Sequence, residues 1–219
     1  AYRILCEMKA CGHCCTITHH KILVMIGCFK IGLDRQGLLR DMSKYSPLEF
    51  LVGCKYYQGN RSPNNAEREE KGYSLAWLHH KGRNKHHYEY WIDYGLEKED
   101  GIIGMKMPVR YVAEMFVDRI AASKTYQKEN YRDEHPLAYY ERGAARLGRM
   151  IHPDTAALLH SLLNNLLLIF NIFGIENQAA EFGVAPLAKA TDGGGNVVGC
   201  IQAHHPYRGD NVHLPGIAA

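Results

Sequence analysis

"SPLEFLVGCKYYQGN", residues 46–60, is the stretch that decides the fold class, because it contains both the start and the end of a helix. Ser46 is predicted to be the N-cap, and Pro47 fits the first helical position, where no backbone N–H is needed. Glu49 stands three residues after Ser46 and completes a capping box. Gly59 ends the helix. One α-helix is therefore predicted here, with both of its ends defined by local chemistry.

Helical signals continue along most of the chain. They occur in THHKILVMIGCFKIG (18–32), NNAEREEKGYSLAWLHH (64–80), MPVRYVAEMFVDRIAASKTY (107–126), HPLAYYERGAARLGRM (135–150) and HPDTAALLHSLLNNLLLIF (152–170). No stretch alternates apolar and polar residues convincingly at the period of a strand. The predicted fold class is therefore all-α.

Two of these helices are predicted in more detail. The first begins at Thr18 as N-cap and ends at Gly32. Its buried face is predicted from the three-and-four spacing of its apolar residues: Ile22, Met25, Ile26 and Phe29. The stretch 64–80 is predicted to be one polar-faced helix that runs into the first pair of histidines.

Length and composition favour a single domain in a reducing compartment. A chain of 219 residues can bury a real hydrophobic core. The seven cysteines are an odd number, and no signal peptide is visible, so we expect a cytoplasmic location. The apolar run that starts at Ser161 contains asparagines and is shorter than the roughly twenty residues of a bilayer span. It is predicted to be a buried helix, and no membrane partner is expected.

Composition also divides the chain into three segments. Residues 1–15 form a cysteine-rich N-terminal segment, residues 16–173 the helical domain, and residues 174–219 a C-terminal tail rich in Gly and Ala. The tail is predicted to be poorly ordered, because it contains little apolar surface to bury. The oligomeric state stays open.

Side chains that bind metals or carry protons are densest in AWLHHKGRNKHHYEYW, residues 76–91. The candidate metal ligands of the whole chain are His19 or His20, Asp41, His79, His80, His86, His87 and Asp118. Imidazole and carboxylate groups brought together from several helices suit a divalent transition metal such as Mn, Fe, Co or Zn. Such a metal activates water for attack on a phosphoester.

Each of these features also has a structural interpretation. Asp41 fits a cap or turn residue in RDMSKYSP, and His20 fits the solvated end of a helix. Arg83 and Asn84 are suited to tie the turn between the two histidine pairs. Asp118 lies among apolar neighbours, where a carboxylate needs a partner.

Two other signals are weaker. Cys11 and Cys14 have the spacing of half a zinc site, but a second cysteine pair is missing and His19 is the only convenient addition. The block of residues 76–91 interleaves basic and aromatic residues, as a nucleic-acid surface would. The net charge of +3 is too small for a broad basic stripe, so nucleic-acid binding is the least favoured function.

Three segments carry a resemblance to a known family: residues 20–50, 76–91 and 107–126. Over residues 16–160 the chain resembles a bacterial and phage family known only as a domain of unknown function. The family's pattern is Leu-Leu-His-Asp-x-Ser-Lys-Tyr/Phe-Ser-Pro-x-Glu-Phe, followed by His-His-x-x-Arg-Asn-x-His-His. That succession is similar to the HD superfamily of metal-dependent phosphohydrolases, in which a helical His, an adjacent His-Asp and a later Asp hold the metal.

The resemblance implies an HD-like helical bundle with metal ligands at His20, Asp41 and Asp118. One position departs from the pattern: Arg40 stands where the family has the His of His-Asp. A guanidinium stays protonated in proteins and cannot bind a cation. Either the clustered histidines compensate, or the metal site is impaired, or Arg40 builds a metal-free anion site.

The function implied by the resemblance is hydrolysis of a nucleotide or another small phosphorylated ligand. Asp41 would then hold the metal and its water, while Lys44, Arg83 and also Arg40 would receive phosphate oxygens. The alternative is a non-catalytic binding or scaffold protein with the same fold and polar pocket. Arg40 favours this alternative, whereas the retained histidines favour the hydrolase.

Overall fold

The computed structural model describes residues 2–166, 188–191 and 197–201, with side chains described for residues 8–166. Its α-helices are α1 (Tyr2–Lys30), α2 (Asp34–Leu39), α3 (Pro47–Tyr56), α4 (Pro63–Lys71), α5 (Leu75–Lys81), α6 (Val109–Gln127), α7 (His135–Leu147) and α8 (Pro153–Asn164). Short 3-10 helices lie at Met42–Tyr45, Tyr88–Trp91, Lys128–Asn130 and Gly148–Met150. The predicted all-α class is confirmed.

Among the described residues, two small antiparallel hairpins are the exception to the helical pattern. β1 (Ile92–Tyr94) pairs with β2 (Ile102–Gly104), and β3 (Ala188–Thr191) pairs with β4 (Val197–Ile201). The second hairpin falls within the predicted C-terminal tail. The remaining residues of that tail lie outside the described part of the chain, so the predicted division at residue 173 stays a prediction.

The hydrophobic core lies between α1, α6 and α8. Helix α1 packs against α6, and α6 packs against α8. Core side chains from these helices are Val24, Cys28, Val112, Phe116, Ile120, Leu159 and Leu163. Gly27 permits the close approach of α1 and α6, because an added Cβ would lie 2.5 Å from Cγ1 of Val117.

Helix α1 starts earlier than predicted. It begins at Tyr2, so the predicted N-cap at Thr18 is wrong and that residue lies inside the helix. The Thr18 hydroxyl instead lies 3.0 Å from the hydroxyl of Tyr45. The predicted end is confirmed, since α1 stops at Lys30 and Gly32 follows with a φ of +72°.

The predicted buried face of α1 is also wrong. Val24 and Cys28 are fully buried, and His20 lies on the same stripe. The residues predicted for the core are half-buried or exposed: Ile22, Met25, Ile26 and Phe29. Residues 22–26 are all apolar, so their pattern does not define which side of the helix faces inward.

Helix α3 starts where predicted, but it ends at Tyr56 rather than at Gly59 and lacks the predicted capping box. Ser46 occupies the N-cap position and Pro47 the first turn, yet the Ser46 hydroxyl accepts no capping hydrogen bond. The Glu49 carboxylate turns away from Ser46 and binds His79 and His80. Competition from these imidazoles is the physical reason why the local motif does not form.

The stretch 64–80 is two helices rather than the predicted single one. Helix α4 ends at Gly72, which adopts a left-handed conformation with φ of +82°. Helix α5 then starts from Ser74, whose hydroxyl accepts a hydrogen bond from the backbone N–H of Trp77. The same hydroxyl donates to the buried carboxylate of Glu67 at 2.6 Å. This new start orients the first histidine pair.

Candidate functional site

Asp41 lies at the centre of a buried polar cluster, between α2 and the following 3-10 helix. It is only 1 % exposed and has a positive φ of 57°, a conformation that Asp tolerates better than most residues. Lys21 of α1 holds this turn by donating to the carbonyl oxygens of Leu38 and Arg40 at 2.9 and 2.7 Å. The backbone N–H of Asp41 donates to Oδ1 of Asn84 at 3.3 Å. The backbone at Asp41 is thereby held by two other segments, α1 and the turn that contains Asn84.

The two carboxylate oxygens of Asp41 have different surroundings. Oδ2 accepts hydrogen bonds from Nη2 of Arg40 at 2.8 Å and from Nζ of Lys44 at 2.6 Å. Oδ1 has no hydrogen-bond partner among the described residues. It lies 3.5 Å from Nε2 of His80 and 3.6 Å from Nε2 of His86. Asp41 therefore joins two different halves of the cluster.

We call the first of them the acidic half; it consists of His20, Asp41 and Asp118. Nε2 of His20 lies 3.0 Å from Oδ1 of Asp118 and 3.7 Å from Oδ2 of Asp41. Nη2 of Arg40 donates to both carboxylates and lies 3.2 Å from Nε2 of His86. The guanidinium thus lies among the ligand atoms of the acidic half.

Charges keep the acidic half ionised despite its burial. Burial by itself would raise the pKa of Asp41, but Arg40 and Lys44 hold that pKa well below its ordinary value. Burial opposes ionisation of Asp118 in the same way, and Arg40 again keeps its pKa well below the ordinary value. Burial and the Lys44 charge lower the pKa of His20 to about 4. His20 is therefore neutral at pH 7, while both carboxylates are charged.

The histidine half consists of His80, His86 and His87. Nδ1 of His80 lies 2.9 Å from Oε2 of Glu49, and Nδ1 of His86 lies 3.0 Å from Oε1 of Glu114. Since an ionised carboxylate only accepts hydrogen bonds, each Nδ1 is the donor in these pairs, and in a neutral imidazole a proton on Nδ1 leaves Nε2 with a lone pair. Carboxylates bound behind histidines in this way are typical of metal-binding imidazoles.

His87 completes the histidine half from the turn after α5. Its ring lies 4.2 Å from that of His86 and 4.9 Å from that of His80, measured between centroids. Nε2 of His87 is buried and has no hydrogen-bond partner among the described residues. Burial holds the pKa of His87 well below its ordinary value, so this imidazole is neutral.

The side chains of the histidine half fit a divalent transition metal. One ring nitrogen from each of its three histidines lies within 4.8 Å of the others. Bonds of about 2.0 to 2.1 Å around a tetrahedral ion separate neighbouring ligands by roughly 3.3 Å. The distances of 3.5 and 3.6 Å from Oδ1 of Asp41 to the two Nε2 atoms are close to that value. A cation would also satisfy the unpartnered atoms of Asp41 and His87.

Comparison with known proteins identifies the family. A family model described as "Family of unknown function (DUF5662)" matches residues 9–165. The chain belongs to this family. Neither the curated proteins nor the solved structures contain a match. The predicted membership of a family of unknown function is confirmed, whereas the likeness to the HD superfamily stays a prediction.

The DUF5662 match contains every residue of the polar cluster and ends just after α8. The hairpin of β3 and β4 lies beyond it. Within the described part of the chain, no helix combines the length and apolar character that crossing a membrane requires.

Some predicted site residues lie outside the cluster. Nδ1 of His79 lies 2.5 Å from Oε1 of Glu49, on the far side of that carboxylate from the site. Arg83 is exposed, and its Nη1 lies 3.4 Å from the carbonyl oxygen of His79. Neighbouring residues on a helix point about 100° apart, so only one of two consecutive histidines can face the site. His80 takes that place.

The remaining weak candidates do not form a ligand group. Cys11 and Cys14 lie one turn apart on α1, and neither belongs to a described group of side chains that could hold an ion. His19, the histidine proposed to join them, is likewise absent from such groups. Lys44, in contrast, lies at the cluster through its contact with Asp41.

Two buried glutamates are functional candidates that sequence reasoning missed. Glu49 was assigned to a capping box, although it binds two histidines. Glu114 lies one helical turn before Asp118 on α6, and Nε2 of Gln36 donates to its other oxygen at 2.6 Å. The four-residue spacing of the two acids is the signal that could have revealed it, because it puts both carboxylates on one helix face.

Proposed function

We propose that the protein is a divalent-metal-dependent phosphohydrolase whose metal is held by His80, His86, His87 and Oδ1 of Asp41. The observation that carries the proposal is the convergence of three possible ligand atoms. Nε2 of His80 and Nε2 of His86 lie 3.5 and 3.6 Å from Oδ1 of Asp41, which has no hydrogen-bond partner among the described residues. Buried acceptors repel each other unless a cation lies among them.

The ligand types narrow the choice of metal. Three imidazoles and one carboxylate suit Zn, Fe, Co or Mn better than Mg or Ca, which prefer all-oxygen surroundings. Such a cation acts as a Lewis acid and lowers the pKa of water. Glu49 and Glu114 keep the protons of His80 and His86 on Nδ1, and thereby keep the Nε2 lone pairs directed inward.

The substrate is proposed to reach the site past Lys44 and Asp118. The side chains of these residues are 24 % and 16 % exposed, whereas that of Asp41 is fully buried. The Lys44 ammonium is the cation best placed to receive a phosphate oxygen, because it is both partly exposed and next to Asp41. Arg83 no longer fits this role, since it lies on the outer surface. The likeness to HD phosphohydrolases supports the choice of a phosphoester.

The test uses protein purified without a His tag, stripped with chelator and reloaded with Zn, Fe, Co or Mn. We expect hydrolysis of p-nitrophenyl phosphate or bis-p-nitrophenyl phosphate that depends on one of these metals. His86→Gln should abolish metal retention and hydrolysis together. The control is His160→Gln, a half-exposed residue on α8, which should change neither. A parent protein that binds none of these metals would overturn the proposal.

A non-catalytic binding protein is the second candidate, and Arg40 is the observation that favours it. Together with Lys44, its guanidinium already neutralises both carboxylates of the acidic half. Metal retention without hydrolysis of either substrate would support this second function. The metal site would then serve structure or ligand binding.

A further inference from the structure

The position of Arg40 suggests more than an impaired metal site. Its nitrogen Nη2 is shared by ligand atoms from both halves of the cluster: Asp41, Asp118 and His86. His20, Asp41 and Asp118 also place one ligand atom each within 4.8 Å of one another. A single cationic nitrogen is therefore surrounded by side chains that could otherwise bind a metal ion.

The charges of the acidic half are balanced when Arg40 is present. Asp41 and Asp118 carry two negative charges, and Arg40 and Lys44 carry two positive charges next to them. Arg40 cannot be neutralised by losing its proton at any ordinary pH. A divalent ion added among the same atoms would lie a few ångströms from the guanidinium and be strongly repelled.

The two halves are arranged as neighbouring cation positions. Asp41 directs Oδ1 toward the histidine half and Oδ2 toward Arg40. A carboxylate that faces two positions in this way is suited to bridge two cations, as in sites where two metals act together.

The position of Arg40 does not satisfy all of its own hydrogen-bond donors. Nε and Nη1 are buried and have no hydrogen-bond partner among the described residues. Leaving such donors buried and unpaired is unfavourable. Nη2, in contrast, donates to the carboxylates of Asp41 and Asp118, and it lies among the ligand atoms.

We propose that the Arg40 guanidinium permanently replaces a second divalent cation in the acidic half. The chain then holds one metal ion, in the histidine half, although its ligands are arranged for two. This inference rests on the proposed function only for the first ion. The replacement of the second ion by Arg40 can be tested independently.

The experiment measures bound Zn or Co per chain, by elemental analysis after dialysis and by calorimetric titration. The proteins are the parent, Arg40→His and Arg40→Lys. We expect one ion in the parent and a second ion in Arg40→His, with affinity for that second ion raised at least tenfold, or about 1.4 kcal/mol. Arg40→Lys retains the charge and should gain nothing. Adding Asp118→Asn to Arg40→His should remove the gain.

Folding is controlled with Arg40→Gln, which removes the charge but retains an amide donor for the two carboxylates. It gives the same comparison if Arg40→His is poorly folded, and circular dichroism monitors both. Metal should raise the melting temperature of Arg40→His and Arg40→Gln more than that of the parent, because it replaces the lost positive charge.

The outcomes separate this inference from the proposed function. No ion in the parent and one in Arg40→His would overturn the proposed metal site and support the role of Arg40. One ion in the parent and one in Arg40→His would support the proposed metal site and overturn the role of Arg40. Two ions in the parent, or none in any variant, would overturn the role of Arg40.

Discussion

The acidic half and the histidine half of the buried cluster share Asp41 but differ in what neutralises them. In the acidic half, Arg40 binds both carboxylates directly. In the histidine half, the protons lie on the outer nitrogens, toward Glu49 and Glu114, and the inner nitrogens face an unpartnered carboxylate oxygen. The acidic half is neutralised by a cationic side chain of the protein, whereas the histidine half directs its lone pairs to the position of the proposed metal ion.

This difference shows how one cationic side chain can divide a ligand cluster into two unlike sites. Arg40 does not displace the histidines, because it contacts only Nε2 of His86 among them. Its positive charge therefore lies among the carboxylates of the acidic half and next to one ligand nitrogen of the histidine half. The stability of the acidic half should therefore depend on ion pairing, and that of the histidine half on bound metal.

The largest expected effect is on Asp41→Asn. Asparagine tolerates the left-handed backbone conformation of this position, so the change removes charge without adding strain. The guanidinium of Arg40 is then buried with one carboxylate fewer, and such losses cost roughly 3 to 5 kcal/mol. Urea unfolding in the presence of chelator measures this free energy. A change below about 1 kcal/mol would show that water screens the pair and that the acidic half is not a closed ion-pair network.

The pH dependence of stability gives the next largest effect. The pKa of His20 is about 4 in the folded chain and 6.5 when unperturbed, so the unfolded chain binds a proton that the folded chain does not. Stability should therefore fall as the pH drops from 6.5 toward 4, by up to about 3 kcal/mol from this residue. Asp41 and Asp118 have lowered pKa values, so their contribution is complete above 3.8 and is lost below it.

Melting temperatures measured with chelator between pH 7 and pH 3 check this two-step dependence. His20→Gln keeps a donor for Asp118 and should flatten only the upper step. His13 and His87 will retain part of that step, because burial lowers the pKa of His13 to about 4 and holds that of His87 well below its ordinary value. A melting temperature that is constant from pH 7 to pH 5 would contradict the neutral, buried state of His20.

The smallest effect on stability is expected for His87→Phe. The lost nitrogen Nε2 has no hydrogen-bond partner in the described structure, and the contact with the ring of Trp77 suits another aromatic side chain. Without metal, the free energy of unfolding should change by less than about 1 kcal/mol. With metal, the increase in melting temperature seen for the parent should be lost. A large loss of stability in chelator would mean that this histidine serves the fold rather than the site.

Much of the site could be predicted from the sequence, but mainly at the level of residue type. His20, Asp41 and Asp118 were placed through the family pattern, and the structure brings them together. The pattern also singled out Arg40 as the departure. What it could not show is that Nη2 of Arg40 lies between the two carboxylates, because that depends on how α1, α2 and α6 pack.

The histidine block shows more clearly what the sequence pattern cannot predict. A continuous helix would have aligned residues seven positions apart, pairing His79 with His86. Helix α5 stops at Lys81, and the turn that follows brings His86 and His87 back toward His80 instead. Turn geometry is set by contacts such as the one from Asn84 to the carbonyl oxygen of His80, which no periodicity encodes.

The fold was predictable wherever helix ends carry local signals. Pro47 lies in the first turn of α3, as predicted, and Pro136 and Pro153 take the same place in α7 and α8. The start and inward face of α1 were not predictable. Its apolar residues 22–26 follow one another without a polar residue between them, so their pattern does not show which side of the helix faces the core.

The most direct test of the division of the cluster is anomalous diffraction from crystals of the parent protein loaded with cobalt, measured at the cobalt absorption edge. One peak bonded to His80, His86 and His87, with Arg40 still bound to Asp118, is the predicted result. A peak bonded to His20 and Asp118, with the guanidinium displaced, would contradict the account.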